Sequence, residues 1–138
     1  MADSFNVLVV DDDEMFLALV KHVFQVHKEA QVTDVQDATK VANLIAAHTY
    51  DGIFLDLMMP GLDGFEVTKA IRKSELNKNT PIVIITARQD VSAMKQAHDA
   101  GATFVLTKPV DHIVLKKLFD TTKPAMAFQQ SKRDKGFS

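Results

Sequence analysis

The sequence predicts a doubly wound α/β domain, a five-stranded parallel sheet in three α/β/α layers, from three observations. Five short runs rich in Val, Ile and Phe recur along the chain. Each is followed by a segment of helical period, and polar residues gather just past the runs' C-terminal ends. Strict alternation of strand and helix implies parallel strands joined by right-handed crossovers.

The runs are 7–10, 32–35, 53–55, 82–85 and 104–106, too short for helices and rich in strand-forming residues. Four are apolar without alternation, as expected of parallel strands covered on both faces. The second, Val32-Thr33-Asp34-Val35, is interrupted by polar residues and reads as an edge strand. Between the runs, Phe16, Val20, Val23 and Phe24 share one face of a first helix, and Val41, Leu44 and Ile45 one face of a second. Val67, Ala70 and Ile71 mark the third helix, Val91, Met94 and Ala97 the fourth, and Leu115, Leu118 and Phe119 the fifth. Asp63 and Asp111 stand where the third and fifth helices need N-caps, and Gly101 stands where the fourth should stop. From about Thr121 the pattern dissolves and Pro124 opposes further helix, so the expectation is one domain over 1–122. Residues 123–138 then form a C-terminal tail, flexible or the stub of a linker, from which Met126 and Phe128 could pack back or touch a partner.

Composition narrows the function. A chain of 138 residues with 46% apolar and 25% charged residues is an ordinary globular domain. A formal charge of −2 supplies no field toward nucleic acid or an anionic membrane. The absence of cysteine excludes disulfides, thiolate metal sites and thiol catalysis. No membrane-length apolar run and no signal-peptide pattern are present, so a cytoplasmic protein is expected. The five histidines, His22, His27, His48, His98 and His112, lack a common ligand spacing and read as surface or half-buried helix residues. Basic residues are dispersed and no second domain offers a recognition helix, so DNA binding has no support.

In parallel α/β sheets, sites form at the carboxyl ends of the strands. The first run ends in Asp11-Asp12-Asp13, the third in Asp56, the fourth in Thr86 and the fifth in Thr107-Lys108-Pro109. Taken singly, these are a helix cap, strand-end residues and a surface lysine. Taken together, they place carboxylates, a hydroxyl and an amine on one edge. Neighbouring carboxylates in a partly dry cleft repel unless a cation intervenes. Oxygen-only ligands point to Mg²⁺ or Mn²⁺. A carboxylate nucleophile, a metal, an ammonium and a hydroxyl are the parts needed for phosphoryl transfer to an aspartate.

Four segments carry a family resemblance: Val-Leu-Val-Val-Asp-Asp-Asp (7–13), Leu-Asp-Leu-Met-Met-Pro-Gly-Leu-Asp-Gly (55–64), Ile-Ile-Thr-Ala (84–87) and Leu-Thr-Lys-Pro (106–109). In order and spacing they resemble the signatures of two-component response regulator receiver domains, of the stand-alone chemotaxis-regulator type. The resemblance implies a flavodoxin-like strand order, 2-1-3-4-5, and Asp56 as the phosphorylated residue. It implies Mg²⁺ held by Asp12, Asp56 and the Met58 carbonyl, with Asp11 acting largely through water. Thr86 and the Ala87 amide would bond phosphoryl oxygens, and Lys108 would pair with the phosphate. Asp13 lies one position beyond the acidic pair and starts the first helix, and the bond to Pro109 is expected to be cis. Met58 and Arg88 flank the site, where the family tunes phosphoryl lifetime.

The implied partners are a histidine kinase or phosphotransfer protein and an effector bound in trans. The effector would read the face made by the fourth helix, fifth strand and fifth helix of a monomer or weak phosphorylation-dependent dimer. The chain would be a switch, not an enzyme beyond its own phosphoryl transfer and dephosphorylation. Three residues before the lysine the family often carries Tyr or Phe; here stands Val105, which argues for a threonine-led rearrangement over an aromatic switch. Two other readings stand beside this one. A haloacid-dehalogenase-type phosphatase would use Asp11 and Asp13, but only Asp111 and Asp120, on the last helix, could complete its metal site. A receiver signalling without phosphorylation would leave the full residue set unused.

Overall fold

The computed structural model describes residues 4–26 and 29–134, so His27 and the end of the tail, 135–138, lie outside the described residues. The main sheet contains β1 (Phe5–Val10), β2 (Ala30–Val35), β3 (Gly52–Leu55), β4 (Ile82–Thr86) and β5 (Phe104–Thr107). All pair in parallel, in the order β2-β1-β3-β4-β5, as expected. Five helices connect or follow them: α1 (Glu14–Gln25), α2 (Val41–Ala47), α3 (Gly64–Lys73), α4 (Val91–Ala100) and α5 (His112–Asp134). A small antiparallel hairpin, Met58–Met59 with Leu62–Asp63, separates β3 from α3. No helix among the described residues is long and apolar enough to cross a membrane.

The period-two geometry of a strand explains the two cores. Val7, Val9, Phe54, Val83 and Ile85 point to one face and pack with α1 and α5. Leu8, Val10, Ile53, Leu55, Ile82 and Ile84 point to the other and pack with α2, α3 and α4. The central strands are therefore apolar throughout, whereas β2 at one edge is half polar and exposed. The other edge is β5, where Phe104 is 38% exposed.

The chain builds β2 to one side of β1 and the remaining strands to the other. Strand order reverses between β1 and β3, so a crevice opens at their carboxyl ends. Helix ends are fixed locally, with Asp13, Asp63 and Asp90 accepting N–H bonds as N-caps of α1, α3 and α4. Gly101 ends α4 at φ 113°, with Arg72 packed where a Cβ would lie.

Three expectations change. The buried face of α4 is Ala93, Ala97 and Ala100, while Val91 is exposed and Met94 half-buried. On α3, Ala70 is exposed and Thr68 is buried instead, its hydroxyl donating to the Gly64 carbonyl at 2.8 Å. The largest correction is the C-terminal segment. In place of a tail after 122, α5 continues through Pro124 to Asp134. An interior proline costs a helix about 3 kcal/mol through a lost hydrogen bond and a clash. Tertiary packing offsets it: Met126 is fully buried in the α1–α5 core, lying over Gly52, where a Cβ would meet its Sδ at 2.6 Å. Lys123 also pairs with Glu29 at 3.0 Å, and Thr122 is fully buried.

Because the segment beyond Pro124 is docked, Met126→Ala should lower unfolding stability by about 2–5 kcal/mol in urea titration. Phe128→Ala, at a 61% exposed site, should change it by less than about 0.5 kcal/mol. Equal and negligible effects would mean an undocked tail.

Candidate functional site

Asp11, the first residue past β1, is 1% exposed, and its Oδ1 accepts the Asp13 N–H at 2.9 Å. Asp12 turns outward and is exposed. Asp13 caps α1 by accepting the Met15 and Phe16 N–H groups at 3.0 and 3.3 Å, as expected for a helix-start residue. Asp56 follows β3 next door; its N–H donates to the Val10 carbonyl at 3.0 Å and its Oδ1 accepts the Met58 N–H at 3.2 Å. One oxygen from each of Asp11, Asp12 and Asp56 lies within 4.8 Å of the others. Three converging carboxylates, with neither sulfur nor imidazole among them, suit a hard divalent cation.

Lys108 is delivered from β5. Its N–H donates to the Thr86 carbonyl at 2.7 Å, and the bond to Pro109 is cis. Its Nζ lies 2.8 Å from Asp11 Oδ2 and 3.5 Å from Asp56 Oδ2. Burial pushes the Asp56 carboxyl above the ordinary carboxylate range, against the opposing pull of the Met58 N–H and Lys108. For Lys108, burial alone would lower the ammonium's pKa, but the hydrogen bond and charge of Asp11, with Asp56, outweigh it and raise it.

Thr86 is fully buried at the end of β4, and its Oγ1 accepts the Arg88 N–H at 3.1 Å, which leaves its own proton to be donated. Ala87 is exposed beside it, and the Met58 side chain is 60% exposed at the rim. Asp11, Asp56 and Lys108 are thus in direct contact, with Asp12 at the mouth of the site and Thr86 joined to Lys108 through the backbone. Val105 packs toward the α2–α3–α4 core, while Phe104, one residue earlier, is exposed.

Three contacts escaped sequence reasoning. The Lys108 ammonium sits 4.6 Å from the centroid of the Phe16 ring. The Arg88 guanidinium grips Asp90 with both arms, Nε–Oδ1 at 3.1 Å and Nη2–Oδ2 at 2.7 Å, and lies 5.9 Å from the Phe65 ring. For the first, the available signal was Phe16 three positions after a capping Asp, which puts it on the first turn beside the strand ends.

The raised Asp56 pKa sets a sign. A carboxyl titrating higher in the folded than in the unfolded state detracts from stability once ionised, and the penalty disappears below the unfolded pKa. With metal chelated, Asp56→Asn should therefore raise the melting temperature at pH 7, and the gap should shrink as pH falls through the carboxylate range. A gap that stays constant down to pH 3 would contradict this.

Known proteins share this sequence pattern and this fold. The family model described as the response regulator receiver domain matches residues 7–120. The response regulator MprA of Mycobacterium sp. is 37% identical over 104 residues, covering 75% of this chain and 44% of the relative. The response regulator PleD of Caulobacter vibrioides is 33% identical over 112 residues, covering 81% of this chain and 24% of the relative. The chain thus spans less than half the length of these curated relatives. Among solved structures, the chemotaxis response regulator CheY4 of Vibrio cholerae superposes with a TM-score of 0.79 at 29% identity, covering 86% of this chain and 98% of that one.

Proposed function

The chain belongs to the response regulator receiver domain family of two-component systems, and from that premise we propose that Asp56 is its phosphoryl acceptor. The observation that carries this reading is the meeting of Asp11, Asp56 and Lys108 within hydrogen-bond reach at the crevice between β1 and β3. The Asp56 carboxylate attacks the phosphorus of a phosphohistidine on a histidine kinase or phosphotransfer protein. The P–N bond breaks, and the released imidazole takes up a proton. Asp11, Asp12, Asp56 and the Met58 carbonyl would hold Mg²⁺, or Mn²⁺ in its place. The ion supplies charge neutralisation for the carboxylate cluster and for the incoming phosphoryl oxygens.

Lys108 swings from Asp11 and Asp56 onto a phosphoryl oxygen, while the Thr86 hydroxyl and the Ala87 amide donate to others. Positioning and electrostatics supply the catalysis, so the chain promotes its own modification and its later hydrolysis, and no other reaction. Asp56 is favoured over Asp11 as acceptor because its oxygens are held by the longer contacts, 3.2 Å from the Met58 N–H and 3.5 Å from Lys108, against 2.9 and 2.8 Å at Asp11. Family membership favours the same choice over a phosphatase of the dehalogenase type.

Movement of Thr86 toward the phosphoryl group pulls on Arg88, whose N–H it accepts, and so on the Arg88–Asp90 pair that begins α4. The surface that changes is the α4–β5–α5 face, which carries the exposed apolar side chains Val91, Phe104 and Ile113. An effector bound in trans reads it by preferring the phosphorylated state.

With Mg²⁺ and acetyl phosphate, intact mass should rise by one phosphoryl group in the wild-type chain and not in Asp56→Asn. A gain that persists in the variant would move the site elsewhere. No gain in wild type, under conditions that label another receiver, would favour a module that signals unmodified.

Mg²⁺ alone should stabilise the wild-type chain, by about 2.7 kcal/mol at 100 times its dissociation constant. Asp12→Ala should abolish most of that gain in a thermal melt. An undiminished gain would remove Asp12 from the ligand set.

A further inference from the structure

We propose that Phe16 is a positioning residue for Lys108, its ring forming the wall that holds the ammonium over Asp11 and Asp56. The inference rests on reading Asp56 as acceptor and Lys108 as the phosphate's partner, and it assigns a role to a side chain outside the acidic and Thr/Lys signatures.

A lysine is a point charge on a flexible four-carbon stem, so its direction has to be imposed from outside. Here three sides are imposed: Asp11 at 2.8 Å, Asp56 at 3.5 Å, and the Phe16 ring, whose centroid is 4.6 Å away. The three belong to a closed circuit of contacts. Asp11 accepts the Asp13 N–H, Asp13 accepts the Phe16 N–H, the Phe16 ring meets Lys108, and Lys108 returns to Asp11. The ring is half-buried and packs against the core to which Leu17, Val20, Val23 and Phe24 fix α1.

An aromatic face also differs in kind from a third oxygen. It attracts the cation and excludes water from that side, yet offers no lone pair to fix a third N–H. The ammonium stays poised but free to turn toward a phosphoryl oxygen arriving on Asp56.

Phe16→Leu keeps apolar cover and removes the ring face, while Phe16→Tyr keeps the face. Phosphorylation by acetyl phosphate at saturating Mg²⁺ should slow about fivefold in Phe16→Leu and recover in Phe16→Tyr. Mg²⁺ affinity should stay within about twofold in both, since neither touches the ligands. Independently of phosphorylation, NMR should place the Lys108 ε-methylene protons upfield in wild type and Phe16→Tyr, by ring current, and not in Phe16→Leu. Wild-type rate in Phe16→Leu, or unshifted Lys108 protons in wild type, overturns the proposal. A ring-shifted Lys108 in a wild-type chain that accepts no phosphoryl group would uphold the positioning and overturn the acceptor reading.

Discussion

Two carboxylates, Asp11 and Asp56, are held almost dry beside one another, with the Lys108 ammonium shared between them. Like unit charges about 4 Å apart repel by about 4 kcal/mol at an effective dielectric of about 20. Nothing in the side chains would choose this; the sheet imposes it. Because β1 and β3 are adjacent and in register, the residues that follow them must be neighbours. The Asp56 N–H is committed to the Val10 carbonyl, so the pair cannot separate without unzipping the central ladder. Lys108 relieves part of the conflict, and the Asp56 carboxyl stays raised chiefly through its burial, with the Asp11 charge adding to it. Carboxylates gathered in this way have the chemistry to take a hard divalent cation.

Rigidity is distributed accordingly. Most side chains of β1, β3 and β4 are buried to within about a hundredth of their surface, and their tight packing fixes the acidic cluster. The side of the sheet around β5 is built more lightly. β5 is half exposed, and α4 packs through the small side chains of Ala93, Ala97 and Ala100. Fewer dispersion contacts have to be broken to shift α4 than to shift α1, whose Leu17, Val20, Val23 and Phe24 interlock with Phe54 and Phe119. A switch needs both properties, a fixed site and a surface that yields.

Much of this was legible in the sequence, for a physical reason. Parallel strands buried on both faces read as unbroken apolar runs, and their next residues mark the crevice. Asp11, Asp12, Asp56, Thr86 and Lys108 can therefore be grouped from the sequence. The misses share a different cause. On α4 the apolar pattern Val91, Met94 and Ala97 meets the inner face only at Ala97, because an alanine stripe of Ala93, Ala97 and Ala100 lets the helix pack close and leaves Val91 outside. At Pro124 a local rule, that proline ends helices, lost to a long-range one, the seat that Gly52 leaves for Met126. Phe16 and the Arg88–Asp90 pair depend on side-chain directions at the first turn of α1 and in the loop before α4, which periodicity does not encode.

Val105 sharpens how a phosphoryl group would be read out. A bulky ring at that position could couple to Thr86 by swapping places with it; valine, half-buried and stiff at χ1, has little to swing. Under the proposed reading, the coupling would run along the chain from Thr86 to α4. The path is short: Thr86 Oγ1 to the Arg88 N–H, Arg88 to Asp90, and Asp90 to the Ala93 N–H that it caps. An exposed ion pair of this kind is weak, so under the proposed reading a phosphoryl–hydroxyl hydrogen bond to Thr86 would displace the start of α4 at little cost.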